Sequence, residues 1–483
     1  MSIIDKLKEI QDEELISFHV PGHKNGRLLG ELPYGKELGL FDTTEIPGTD
    51  NLHAPEGCIL KTQQQIAEFY GAKESFLLVN GTTGGILSMI YAAFKPGDKV
   101  IIGRDAHKSI FTGMILAQIE PIYVSPEVDE SLGINLGISL DTVSKVYEKY
   151  NDIKGMIVTY PNYNGICSAL SSIEAIVHAH DGILLVDGAH GAHLSLNDEL
   201  PRTAIELGAD IVVHSTHKSL GALTQSSLLH YCSERVSLSK LKMALAMFQS
   251  SSPSYVLMAS LENAIKTAKE SGHQLMSTLI EAIDEFSDEL EKTTPFRVLR
   301  QSMLIGYSLD TTKITVLTQR TQITGGDLET VLREKYGIQC EYGTDSTILF
   351  IATIGNRTSE LKSLLSALQH FSQEIEKEKH QSLNSDGNRS LFDFKKFELV
   401  QGITPSEGVH LPKSLVSLQE SIGQCAGEFI VPYPPGIPVV VPGEIISEQV
   451  VNYIEEGIRK GYNINGVYDG HTQQVNIIKK VTK

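Results

Sequence analysis

The chain has 483 residues; its 41% apolar and 21% charged content is that of an ordinary globular protein with room for about two to four folded units. Acidic residues outnumber basic ones 59 to 41, a formal charge of −18, which argues against the clustered Lys/Arg footprint of a nucleic-acid partner. No apolar run approaches the roughly 18–20 residues of a membrane span. Five cysteines at least 65 residues apart, with no C-x-x-C pair, argue against a disulfide framework or a zinc site and favour a cytoplasmic protein.

The first eighteen residues place Ile3, Ile4, Leu7 and Ile10 at helical spacing among charges, which predicts an amphipathic helix in an N-terminal arm over 1–30 rather than a signal peptide. Strands are predicted at Ser75–Val79, Lys99–Ile102, Pro121–Val124, Gly155–Thr159, Ile183–Val186, Ile211–Val213 and Ser226–His230. Helical patterns separate most of them, as over Gly84–Phe94. Near-continuous apolar strands alternating with helices define an α/β unit, 31–258, whose mostly parallel sheet is covered on both faces. One long helical stretch runs from Ala259 to about Lys292 and opens a smaller α+β unit, 259–375, with strands at Lys313–Leu317 and Thr347–Ile351. A polar linker, 376–392, precedes a C-terminal domain, 393–483, where the prolines between Val431 and Glu444 forbid a helix.

Ligands of open α/β sheets bind beyond the carboxyl ends of the strands, so the polar residues there carry most information. After the strand ending at Val79, Asn80-Gly-Thr-Thr-Gly-Gly85 opens a helix and offers N–H groups, hydroxyls and a positive dipole end to a phosphate. Its spacing is neither a P-loop nor G-x-G-x-x-G. The next such end delivers Asp187 with His190 and His193, an acid poised for a cationic ring nitrogen or a metal. A third delivers Ser215, His217 and Lys218, where a desolvated lysine would make an amine nucleophile. Each segment alone is also explained by a capped turn, a hydrogen-bonded acid or a solvated lysine. Together, a phosphate cup, an acid and a lysine thirty-one residues beyond it are the three parts that pyridoxal phosphate requires.

The chain resembles the bacterial ornithine/lysine/arginine decarboxylases, pyridoxal-phosphate enzymes of fold type I. The likeness rests on His19-Val-Pro-Gly-His-Lys24, Asp50-Asn-Leu-His-Ala-Pro55, Asn80-Gly-Thr-Thr83, His107-Lys-Ser109, Ser215-Thr-His-Lys218 with Gln225-Ser-Ser227, and Pro432-Tyr-Pro-Pro-Gly-Ile-Pro438 closing on Pro442-Gly-Glu444. It implies an aspartate-aminotransferase-like large domain with a seven-stranded sheet, a small domain and a C-terminal domain. It implies that Lys218 forms the Schiff base, that Asp187 pairs with the pyridine nitrogen, and that His107 and His190 cover the two ring faces. Thr82, Thr83, Ser215 and His217 would hold the phosphate, with Ser251 or Ser252 reaching the phosphate of a neighbouring subunit in a homodimer. Glu444, and less directly Glu45 and Asp50, would grip the distal cation of the substrate, and Lys218 or His217 would protonate Cα.

Two departures stand out. Lys218 lies too early for the N-terminal wing of the family's large members, so a dimer or a dimer of dimers is expected. Gly188 follows Asp187 where wingless relatives often carry an acid. The implied reaction is α-decarboxylation of a basic amino acid, arginine ahead of lysine and ornithine last, in polyamine metabolism. The alternatives are another fold-type I reaction, such as transamination or elimination, a silent cofactor-binding relative, or a metal-dependent hydrolase using His19, His23, Asp187, His190 and His193. No metal is expected, because Pro21 and Gly22 keep His19 and His23 off one helix.

Overall fold

The structure, a computed structural model, describes residues 2–13, 17, 19–321, 323–378, 399–433, 436–459, 461, 463–468 and 473–479. Its centre is a seven-stranded sheet built from β1 (Glu74–Leu78), β2 (Lys99–Gly103), β3 (Glu120–Val124), β4 (Ile153–Thr159), β5 (Ile183–Asp187), β6 (Ile211–His214) and β7 (Ser227–Tyr231). The spatial order is β1-β7-β6-β5-β4-β2-β3, with only β7 antiparallel to its neighbours. All seven expected strands are present, with ends shifted by one or two residues.

Alternate side chains of these strands feed two cores. Ile101, Met156, Leu184, Val186 and Val212 pack on one face with Ile59, Ile173 and Leu261, and Val100, Ile102, Leu185, Ile211 and Val213 on the other with Ile90, Ile110 and Leu241. Burial on both faces is why the strands read as continuous apolar runs.

The N-terminal arm is held at its start. The helix Ile3–Asp12 is capped by Ser2 and Asp5, and its free N–H groups at Ile3 and Ile4 donate to Glu262 at 3.2 and 2.8 Å. The expected long helix begins earlier, at Tyr255, and runs as Tyr255–Thr267, a π-turn over Ala268–Gly272, and His273–Thr293. It therefore crosses the boundary expected at 258/259. At the π-turn Gly272 leaves room for Leu196, whose Cδ2 would stand 2.8 Å from an added Cβ.

Lys313–Leu317 and Thr347–Ile351 are strands as expected, joined by Arg297–Val298 and Tyr342–Gly343 into a four-stranded antiparallel sheet. The expected linker lies outside the described residues, except that 376–378 end the helix Thr358–Glu378. Beyond it are two-stranded ladders and the helix Glu448–Arg459, which buries Val450, Val451 and Ile454. The proline-rich segment contributes the strand Val431–Tyr433 and no helix among its described residues. No described helix is long and apolar enough to cross a membrane. The five cysteines are unpaired.

Candidate active site

The parallel strands point their carboxyl ends at one region, and five connections deliver side chains there. From β5 comes Asp187, buried and accepting the Ala189 N–H at 3.1 Å. Burial raises its pKa, against the pull of His107, the Ala189 amide and Lys218. From β6 comes Ser215 and then the short helix Thr216–Ser219, which carries Lys218. Burial lowers the Lys218 pKa, opposed by the charges of Asp187 and Glu341. Its Nζ lies 3.2 Å from Nε2 of His190, a buried ring whose pKa falls well below the usual value through burial and then the Lys218 charge.

From β2 comes His107, the N-cap of the helix Lys108–Ala117. Its Nδ1 accepts the Ser109 amide at 3.2 Å and meets Ser109 Oγ at 2.8 Å, so the neutral ring carries its proton on Nε2. Burial lowers its pKa and the Asp187 charge opposes that. Gly436 closes on this ring: an added Cβ would stand 3.4 Å from both Cδ2 and Nε2, and its carbonyl accepts the Lys108 N–H at 3.2 Å. From β4 comes Tyr163, whose ring lies 4.8 Å from His190 and 6.0 Å from Lys218 Nζ.

From β1 comes the turn into the helix Gly81–Ala93, where Gly81 adopts φ +66°. Thr82 Oγ1 meets Ser215 Oγ and, at 2.9 Å, Ser227 Oγ, so three hydroxyls cluster at this helix N-terminus. Thr83 is exposed beside them. His217 Nδ1 donates to the Ser226 carbonyl at 2.9 Å, and burial lowers its pKa. Its Nε2 is then an acceptor in the neutral ring.

This set fits pyridoxal phosphate. The hydroxyl cluster at the mouth of a 13-residue helix suits a phosphate. A buried carboxylate receiving one backbone amide has acceptor capacity left for a ring N–H, and a partly desolvated lysine stands beside it. Fold and site together define a fold-type I pyridoxal-phosphate enzyme.

The comparisons narrow that class. Residues 2–360 match "Orn/Lys/Arg decarboxylase, major domain" and residues 404–467 match "Orn/Lys/Arg decarboxylase, C-terminal domain". The chain belongs to the Orn/Lys/Arg decarboxylase family. It is 34% identical to the arginine decarboxylase of Bacillus subtilis (strain 168) over 482 residues, 98% of this chain and 97% of that protein. It is 24% identical to the inducible lysine decarboxylase of Escherichia coli (strain K12), over 90% of this chain and 73% of that one. In fold it matches the Francisella novicida lysine decarboxylase LdcF with a TM-score of 0.83 at 21% identity, covering 99% of this chain and 81% of that one.

Of the expected substrate carboxylates, Asp50 needs correction. Asp50 is buried and accepts the backbone N–H groups of Asn51, Glu56, Gly57, Ile59 and Leu60, which caps the helix Cys58–Tyr70 and leaves no place for a ligand cation. Glu444 is buried too. Its Oε2 takes Arg104 Nη2 at 3.0 Å and the Val441 N–H at 2.7 Å, while its Oε1 is buried without a hydrogen-bond partner among the described residues. Glu45 is exposed on the loop after the helix Gly35–Phe41. Ser251 and Ser252 are exposed, on a turn in which Ser250 Oγ accepts the Ser252 N–H at 3.1 Å.

Other groups went unassigned in the sequence reading. Ser227 stood inside a quoted motif without a role, and Tyr163 and Arg104 follow strands and could have been found by the strand-end rule. Glu341 and the buried pair Asp310 and Lys313, of which Asp310 meets His193, carry no motif at all.

Proposed function

We propose that the chain catalyses pyridoxal-phosphate-dependent α-decarboxylation of a basic amino acid, arginine ahead of lysine. Family membership and near end-to-end likeness to curated arginine decarboxylases support the reaction. The observation that carries it is the meeting of Lys218, Asp187 and the Thr82–Ser215–Ser227 hydroxyls at one edge of one sheet.

When bound, the cofactor supplies an electrophilic aldehyde and a protonated ring that withdraws electrons from the bond to be broken. Lys218 would hold it covalently, its amine made available by burial. Asp187 would keep the ring nitrogen protonated, and the buried site strengthens that pairing. Thr82, Thr83, Ser215 and Ser227 would hold the phosphate, His217 would join them as the imidazolium that a phosphate charge favours, with its second proton on Nε2, and His107 and His190 would bracket the ring. For the Cα proton, Lys218 is favoured over His217, because both His217 ring protons are then committed, to the Ser226 carbonyl and to the phosphate.

We further propose a homodimer, in which Ser251 and Ser252 face the neighbouring phosphate, and a cytoplasmic location. The exposed apolar side chains of Leu28 (78%) and Tyr34 (79%) support an assembly, and five unpaired cysteines support a reducing compartment. The division into 1–30, 31–258, 259–375, a linker 376–392 and 393–483 is likewise a proposal, with the helix Tyr255–Thr267 bridging the second and third units.

The test is an amine-product assay on cofactor-loaded protein given arginine, lysine and ornithine separately. Agmatine, cadaverine or putrescine identifies the substrate. A keto acid instead of an amine would move the function to transamination, and no product from any of the three would reject it.

A further inference from the structure

Asp50 is spent on five backbone amides and the buried Glu444 has only Oε1 open, so the distal cation of a basic substrate calls for a more accessible acceptor. Glu341 meets the requirement. It lies between the helix Gly325–Tyr336 and the strand Tyr342–Gly343, is exposed, and has its N–H fixed to the Leu349 carbonyl at 2.9 Å. Tyr163 donates its hydroxyl to Glu341 Oε1. The same ring lies 6.0 Å from Lys218 Nζ and 4.8 Å from His190, so Glu341 stands one tyrosine ring away from the reacting amine. Among the described residues no cation lies within ion-pair distance of Glu341.

We infer that Glu341 is the specificity-determining carboxylate of this site, accepting the distal cation of the substrate beside Tyr163 and Tyr342. The inference rests on the decarboxylase reading given above. The two tyrosine rings meet edge to face at 5.3 Å and 64°, and they adjoin the carboxylate. A planar guanidinium uses such a pair of features: it stacks on an aromatic face and gives two parallel N–H bonds to a carboxylate. The ligand class is therefore a primary amine with a distal guanidinium. The electrostatics agree, since the Glu341 charge acts on Lys218 and on Lys313.

The arrangement divides the labour. The large domain holds the reacting end through Lys218 and Asp187, and the unit carrying Glu341 reads the far end. Binding energy at that far end fixes the orientation of the bond to be broken.

The test compares wild type with Glu341→Gln in the cofactor-loaded enzyme, reading arginine KM and kcat and agmatine affinity by calorimetry. Pentylamine, which lacks the distal cation, is the control. Glu341→Gln should raise the arginine KM and weaken agmatine at least tenfold, with pentylamine within twofold and the cofactor absorption band unchanged. Agmatine affinity within twofold of wild type would overturn the inference. If wild type releases no amine from any basic amino acid, the parent reading fails, while agmatine calorimetry still decides the acceptor. Should Glu341→Gln fail to fold, Tyr163→Phe carries the test: loss of the aiming hydroxyl should weaken agmatine several-fold, and no change would count against it.

Discussion

Lys218 Nζ and His190 Nε2 face each other at 3.2 Å, two nitrogens that cannot both carry an extra proton in so buried a place. Burial lowers both pKa values, and Lys218 keeps N–H groups in either state, so the neutral imidazole accepts. Its own proton then sits on Nδ1, which is buried without a partner among the described residues. The pair keeps a basic amine at the site without a second cation beside it.

Covalent loading at Lys218 should follow from this. Borohydride reduction of the loaded protein should add the cofactor mass to the peptide containing Lys218, and Lys218→Ala should show no such adduct. The neutral amine is the reactive form, so the loading rate should rise with pH through a midpoint below the usual lysine value of 10.5. Asp187 opposes that lowering, so Asp187→Asn should move the midpoint further down. A midpoint at or above the ordinary lysine value would contradict the buried geometry.

Asp187 has a second, larger consequence. Removing one partner of a buried ion pair costs about 3–5 kcal/mol, which corresponds to roughly two to four decades in rate or affinity if fully expressed. Asp187→Ala should therefore turn over at least a hundredfold more slowly and lose cofactor faster on dialysis. Near-normal turnover would remove Asp187 from the site.

The sheet was legible because burial on both faces writes each strand as an apolar run, and the strand-end rule then led to Thr82, Asp187, Ser215 and Lys218. Tertiary commitment was not legible. Asp50 reads as a free acid until its five amide donors are seen, and Glu444 until Arg104 is found beneath it. The absent acid at Gly188 has a spatial reason: an added Cβ would stand 2.9 Å from His214 Cδ2 and 3.0 Å from Val212 Cγ1. His214 fills that space and is itself held by His230 at 3.1 Å. His193 meets Asp310, itself paired with Lys313 three residues on, across more than a hundred residues of chain, which no local pattern records.

That cluster should set part of the acid limit of stability. Asp310 is fully buried, with His193 Nε2 at 3.0 Å and Lys313 Nζ at 3.9 Å. Burial alone would raise its pKa, but the His193 and Lys313 charges and the hydrogen bonds from Thr312 hold it at about 2. A depressed carboxylate contributes stability above its unfolded value of 3.8, and that contribution is lost as pH falls towards about 2. Asp310→Asn should lower the melting temperature at neutral pH and flatten its dependence between about pH 4 and pH 2. An unchanged acid limb in the variant would show that the cluster contributes nothing to it.

Arg104 and Glu444 pose the sharpest choice between two roles. Arg104 is fully buried beneath the C-terminal segment, donating to the Pro438 and Val439 carbonyls at 2.6 and 3.2 Å and to Glu444 at 3.0 Å, with the Phe111 and Tyr123 rings 5.4 and 5.6 Å from its guanidinium carbon. Such a pair clamps the Gly436 loop onto His107. Glu444→Gln leaves a buried guanidinium uncompensated and should cost about 3–5 kcal/mol of stability. Replacing both partners by similar apolar volume is often neutral, so Arg104→Met with Glu444→Met should recover much of the melting temperature. Agmatine affinity separates the roles: a clamp predicts near-normal affinity in the stable double variant, whereas a substrate-gripping Glu444 predicts a loss of tenfold or more. The first outcome leaves the distal cation to Glu341; the second would return it to Glu444, whose Oε1 has no hydrogen-bond partner among the described residues.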